Sequence, residues 1–293
     1  MTSTGSSLAR RMLGRQLRAL RINSGVSAEY ARDAINVSKQ TLWRMETGQQ
    51  VRLNPLFIER LCKIYGASAT RTAILLELTE ETTRTGWWHA FGDAIHKEFS
   101  LYVELETVAK RLVSYQTTLL PGLLQTDQYR RALIWTSFPA MPGPEVERMI
   151  EIFRRRKARL DNDEDPVLLE AVIDESALRR AIGGPAVMEQ QLAHLARVSE
   201  QPNVSVRVVP LSAQAYAGLS VGPFVMFDFP KHPIAHLTEP PVVYIQGFTG
   251  NLYLEKPEEI RLYRQAYADL QRSTLDQERS RSLILEIAKE YGK

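Results

Sequence analysis

The apolar positions in the first 66 residues repeat with a helical period. Leu13, Leu17 and Leu20 recur at i, i+4 and i+7, one face of an amphipathic helix. Asn23, Ser24 and Gly25 end it, and Gly25 suits a left-handed C-cap. Ser27 can N-cap a second helix that turns Tyr30, Ala31 and Ala34 inward. The three-residue turn of Ile35, Asn36 and Val37 leads to Ser38, which caps a third helix with Leu42 and Met45 facing the core. Thr47 and Gly48 stop that helix. Pro55 opens a fourth, packed through Ile58, Leu61, Cys62 and Tyr65, and Gly66 ends it. A fifth helix over 68–85, carrying Ile74, Leu75 and Leu78, runs into the polar stretch ETTRTG, which reads as a domain linker.

Beyond that joint the pattern becomes mixed. Helical stretches are expected near 97–109 and 127–136, from Pro144, from Pro185 to near Ser199, from Pro257 to near Leu270, and from Asp276 to near Tyr291. Strand-like runs fall at 111–116, 167–174, 204–209, 223–229 and 241–247; VSVRVV at 204–209 alternates as a half-buried strand should. The fold class is therefore mainly α with α+β. A five-helix head occupies residues 1–80, and a larger α+β body with a small mixed sheet occupies 81–293.

Charge sharpens this division. Of the 293 residues, 24% are charged and 44% apolar, which excludes a disordered chain, a collagen and a disulfide scaffold. Residues 1–66 hold eleven Lys or Arg against four acids, a net +7, while the remaining 227 residues are net −4. A small basic head on a mildly acidic body points to a polyanion partner for the head. The single cysteine, Cys62, lies on a core face and fits a reducing compartment. There is no long apolar run and no signal-peptide pattern, so a cytoplasmic protein without a membrane segment is expected.

Two short helices joined by a tight turn make the start of the second protrude far enough to enter a major groove. On the helix opened by Ser38, the faces away from Leu42 and Met45 display Lys39, Gln40, Thr41, Trp43 and Arg44. Gln pairs bidentately with adenine, and Arg or Lys with guanine; Thr41 and Trp43 can meet a thymine methyl or the sugar-phosphate. Helix starts at Ser27 and Ser38 offer backbone N–H groups to phosphate. The candidate DNA-binding residues are Ser27, Ser38, Lys39, Gln40, Thr41, Trp43 and Arg44. Double-stranded DNA is the expected partner.

LGRQLRALR (13–21) followed by GVSAEYARDAINVSKQTLWRMETG (25–48) resembles the Cro/C1-type helix-turn-helix of the Xre family. Ser27, Ala31, Val37, Ser38, Leu42, Arg44, Glu46 and Gly48 match its pattern. Ala28 stands where the family has a phosphate-binding Gln, and Tyr30 is assigned to the core Leu position. The resemblance implies a pair between Arg21 and Glu46. The body resembles the C-terminal domain of actinobacterial Scr-type (WhiJ-like), antitoxin-like regulators. The matching stretches are GWWHAFGD (86–93), the LLPGLLQT loop (119–126) with Tyr129, DESALRRAIGGPAVM (174–188), QPNVSVRVVPLSA (201–213), GPFVMFDF (222–229) and GNLYLEKPEEI (250–260). That likeness implies a repressor or antitoxin-like regulator, with a small BldB-like protein as partner. The aromatic cluster Trp87, Trp88 and Phe91, and the loop residues Leu120, Leu123 and Leu124, are candidates for a partner or ligand surface; the alternative is ordinary core.

Rival chemistries have weaker support. Gly218, Ser220 and Gly222 form a G-x-S-x-G, but a nucleophile elbow needs a strand before the serine and a helix after it, and here Pro223 and a strand-like run follow. His232, His236 and Glu239 have metal-like spacing, yet Pro233 opposes the helix that would align them. His89, Asp93 and His96 read as packing or solvated groups. The basic run at 154–159 reads as a solvated face partly paired with Glu145, Glu147 and Glu151. No glycine-rich phosphate loop occurs. The expectation is a non-enzymatic regulator without catalytic residues, cofactor or metal, acting as a homodimer that reads two half-sites. The alternative is an antitoxin-type module that acts mainly by sequestering a partner protein.

Overall fold

A computed structural model describes residues 7–83, 97–231 and 238–293. The chain divides into two compact units. The first holds five helices together with Phe99–Leu105, Lys231, Thr238 and Glu239; the second holds Glu106–Pro230 and Pro240–Lys293.

The helices of the first unit are α1 (Ser7–Asn23), α2 (Ala28–Ala34), α3 (Lys39–Glu46), α4 (Pro55–Ile64) and α5 (Ala69–Glu81). Short polar side chains start four of them. Ser27, Ser38, Asn54 and Ser68 each accept a hydrogen bond from a first-turn backbone N–H, replacing a partner the helix itself cannot supply. Their apolar faces meet in one core: Leu13, Leu17 and Leu20 of α1, Ala31 of α2, Leu42 and Met45 of α3, Ile58, Leu61 and Cys62 of α4, and Leu75 and Leu78 of α5. Tyr65 and Ile35, at helix ends, join it.

One inward residue differs from expectation. Ala31 is fully buried, whereas Tyr30 is 61% exposed. The Ser27 cap starts α2 so that the residue four positions on, not three, faces inward, and the core Leu position falls on Ala31. The tight turn holds: Ile35 is buried, and Asn36 takes the left-handed conformation at φ 51°, which Asn tolerates better than most residues.

The second unit is built on a six-stranded mixed sheet of β1 (Arg111–Gln116), β2 (Leu168–Asp174), β3 (Val204–Val209), β4 (Phe224–Asp228), β5 (Val242–Gln246) and β6 (Asn251–Leu254), in the order β3-β2-β1-β4-β5-β6. β1 pairs with β2 and β2 with β3 in parallel; the other neighbours are antiparallel. Parallel pairs need crossovers. α7 (Asp127–Ser137) and α8 (Gly143–Lys157) supply the first, and α9 (Glu175–Leu178) and α10 (Pro185–Val198) the second. α6 (Lys97–Val108) precedes β1, α11 (Gly218–Val221) precedes β4, and α12 (Pro257–Ser273) and α13 (Gln277–Tyr291) follow the sheet. One sheet face places Val113, Tyr115, Val172, Phe224, Met226 and Val243 against Ile260, Tyr267 and Leu270 of α12. The edge at β3 is closed: Leu275 N donates to Val208 O at 2.9 Å and Val208 N donates to Ser280 Oγ at 2.9 Å, so this edge offers fewer free backbone groups. The expected strands are present, and β6, whose four residues carry little period-two signal, adds a sixth.

Two sequence readings change here. Leu120, Leu123 and Leu124 are buried, and their loop is tied inward by Gln125 Nε2 donating to Leu120 O (2.7 Å) and Gln191 Nε2 donating to Leu124 O (2.8 Å). The loop therefore serves as core rather than as a surface. The basic run at 154–159 is only partly solvated. Arg154 and Arg155 pair on the surface with Asp127 and Glu151, but Arg156 makes a bidentate pair with Glu106 at 2.6 and 2.8 Å, both side chains 3% exposed. Arg159 donates to the carbonyls of Thr107 and Ala109. Glu147 pairs instead with Arg131.

Candidate nucleic-acid interface

α3 is eight residues long and is held on one side only. Leu42, Met45 and Glu46 are buried, the i, i+3, i+4 stripe that seats a helix on a core. Lys39, Gln40, Trp43 and Arg44 are exposed on the remaining faces, Trp43 by 56%. Thr41 is half-buried and Ser38 and Ser27 are exposed. Ser38 Oγ accepts from Thr41 N at 3.0 Å and lies 2.9 Å from Thr41 Oγ1, which occupies the Thr41 hydroxyl locally. At the other end, Thr47 Oγ1 donates to Trp43 O at 2.7 Å. The structure thus places Lys39, Gln40, Trp43 and Arg44 together on one free surface, as a probe that enters a groove requires.

Two contacts fix the helix against the rest of the unit. Arg21 at the end of α1 donates through Nε and Nη2 to the two carboxylate oxygens of Glu46, at 2.6 and 2.8 Å. Those hydrogen bonds raise the Arg21 pKa above its ordinary value, against a smaller opposing effect of burial. The fork-on-carboxylate geometry sets orientation as well as distance. The second contact is backbone to backbone. A Cβ at Gly14 would stand 2.5 Å from Met45 O and 2.8 Å from Gly48 N, so only glycine lets α1 approach the end of α3 this closely. Gly14 carries no periodicity signal and escapes a sequence reading. The one hint is its position on the helix face that also holds Leu13 and Leu17. α1 is tied to α5 by Arg71 Nη2 donating to Gln16 Oε1 at 2.9 Å.

The other candidate residues are distributed differently. Trp87 and Trp88 lie outside the described residues, as do Phe91, His89, Asp93, His96, His232 and His236. Glu239, of the metal-like trio, is buried and pairs with Arg15. Among the described residues, no group of three His, Cys, Asp or Glu side chains gathers as a metal site. Ser220 is exposed within the single-turn helix α11 and is followed by β4, the reverse of a nucleophile elbow. Gly218 has a packing reason instead: a Cβ there would collide with the Tyr115 hydroxyl and Leu270. Cys62 is buried, and burial pushes its thiol pKa up, which makes it inert. No helix among the described residues is long and apolar enough to cross a membrane.

Comparison with known families gives two matches. The family described as a helix-turn-helix domain matches residues 12–75, the region of α1 to α5. The family described as a domain of unknown function (DUF5753) matches residues 99–286, well over half of the chain. No curated protein and no solved structure matches.

Proposed function

Because the chain belongs to the DUF5753 family and carries a helix-turn-helix domain ahead of that region, we propose that it is a sequence-specific DNA-binding transcriptional regulator acting as a repressor. The observation that carries this reading is the free face of α3. Lys39, Gln40, Trp43 and Arg44 are exposed on a helix seated by Leu42 and Met45 and clamped through Glu46. α3 enters the major groove, Gln40 and Arg44 read base edges, and Lys39 with the helix starts at Ser27 and Ser38 meets phosphates. A head of this size reads few base pairs, so two copies are proposed to bind half-sites about one helical turn apart.

In this reading residues 1–80 form the DNA-binding domain of a cytoplasmic protein, and residues 81–293 hold the dimer together and receive the signal. That signal is a small BldB-like protein or a small ligand, with Trp87 and Trp88 part of the surface that meets a protein partner. The signal can switch the regulator only by favouring one arrangement of the heads over another. The likeness of the body to Scr-type (WhiJ-like) regulators supports the assignment.

The test is fluorescence anisotropy on DNA from upstream of the protein's own gene. The expected result is binding that weakens steeply between about 50 and 200 mM salt, with a log–log slope near −0.9 per neutralised phosphate, and a slope shallower by about one per head for Lys39→Ala. Salt-independent binding, or none beyond that of unrelated DNA at matched salt, contradicts the reading.

A further inference from the structure

We propose that the DUF5753 region contains a binding site for a small oxyanion, a carboxylate or a phosphoryl group, built around Arg130 on α7 and Phe153 on α8. The guanidinium of Arg130 lies over the Phe153 ring, with Cζ 3.6 Å from its centroid. Its Nε is sealed from solvent and has no hydrogen-bond acceptor. No carboxylate of the described residues pairs with it, in contrast to its neighbour Arg156, which is matched to Glu106 through both oxygens. Arg156 also approaches the Phe153 ring, Cζ to centroid 4.8 Å, so two cations flank one aromatic side chain, and Glu106 is engaged by Arg156.

That arrangement is electrostatically incomplete. Enclosed charges in folded proteins are paired, because the interior does not replace the hydration they lose. The ring face offsets part of that loss, but Arg156 adds repulsion. Burial first, and Arg156 second, push the Arg130 pKa down to about 9, the signature of a cation without an anion. Arg130 as a whole is half-buried. The two terminal nitrogens of its guanidinium are a planar fork whose geometry suits an oxyanion bidentately. The backbone turns at Gly122, where an added Cβ would stand 3.4 Å from the guanidinium of the neighbouring Arg156. An oxyanion on Arg130 would supply the missing charge and tie α7 to α8 within the crossover between β1 and β2.

This inference deepens the proposal that the larger domain receives a small ligand and depends on it only for its regulatory meaning. It is tested without DNA, so its failure is distinct from failure of the DNA-binding reading. The full chain is titrated with inorganic phosphate, and separately with acetate, at ionic strength held constant with chloride, by calorimetry and by thermal melting. The expected result is saturable heat and a saturable rise of several degrees in melting temperature with at least one anion. A phosphate response assigns a phosphoryl ligand, and an acetate response a carboxylate. Arg130→Met, which keeps an apolar stem against Phe153, should abolish the saturable response and melt no lower than wild type in chloride alone. If R130M does not fold, R130Q takes its place for the titration. No saturable response of the wild type to either anion, or an undiminished response in the variant, overturns the proposal.

Discussion

Removing one partner of the Arg21–Glu46 pair should cost different amounts depending on which partner is left behind. The Glu46 side chain is 7% exposed and that of Arg21 17%. Arg21→Ala strands a carboxylate that cannot reach water, close to the buried Tyr65 hydroxyl, which itself has no hydrogen-bond partner. An uncompensated charge in such a place costs about 3–5 kcal/mol. Glu46→Ala leaves a guanidinium on a long stem, which can swing toward solvent and keep its approach to Val26 O, 3.5 Å away. Its cost should be near the loss of an ordinary charged hydrogen bond, about 1.5–3 kcal/mol. Replacing both, Arg21→Met with Glu46→Leu, removes charge and desolvation together and should return stability to within about 1 kcal/mol of wild type. For a cooperative unit of this size, the Arg21→Ala loss is a melting shift of more than about 10 °C. Hydrogen exchange of the full chain, followed on peptides from α1 to α4, reads the same loss locally. Equal effects of the two single substitutions, or less than about 1 kcal/mol for Arg21→Ala, would refute the reasoning.

Three other outcomes are expected. Gly14→Ala places a methyl against Met45 O and Gly48 N; it should destabilise the first unit by about 1–3 kcal/mol and weaken DNA binding by displacing α3, and a neutral melt contradicts the close approach. His194 is held neutral: burial first, then Lys157 and Arg197, lower its pKa from 6.5 to about 4, and Arg197 Nη2 donates to its Nδ1 at 3.0 Å. Because the unfolded chain takes up the proton first, stability of the second unit should fall as pH drops from about 6.5 toward about 4; His194→Gln should flatten that segment of the profile, and an unchanged slope in the variant contradicts the assignment. Asp276, the N-cap of α13, accepts from Arg279 N at 2.8 Å, so Asp276→Ala should lower stability by about 1 kcal/mol in denaturant unfolding, and no shift in midpoint counts against the cap.

The first unit was largely readable from the sequence because its rules are local. Capping serines, turn residues and a 3.6-residue apolar period each act within a few positions, and Ser27, Ser38, Leu42, Met45 and Ile58 occupy the places that period assigns. The one misplaced residue, Tyr30, expected inward beside Ala31 but exposed, lies in a seven-residue helix too short for its period to fix the edge of the buried face. In the second unit, strand positions were readable from short apolar runs, but the pairing of β1 with both β2 and β4 joins residues more than fifty positions apart, which no local pattern encodes. The same limit explains the loop at 119–126. An apolar Pro-Gly stretch is as fit for an exposed surface as for a core, and only Gln191, nearly seventy residues away, decides between them. Arg130 was silent in sequence, since an arginine on an amphipathic helix is ordinarily solvated; its significance comes from the absence of a counter-charge among the described residues once α7 and α8 pack.

The central claim, that the exposed face of α3 reads DNA sequence, is tested most directly by selection from a randomised duplex library with the wild type, Gln40→Ala and Arg44→Ala. Wild type should enrich one motif, and each variant should lose preference at its own base pair by about 1–3 kcal/mol while keeping the rest. Enrichment of the same motif at the same strength by all three proteins would contradict the claim.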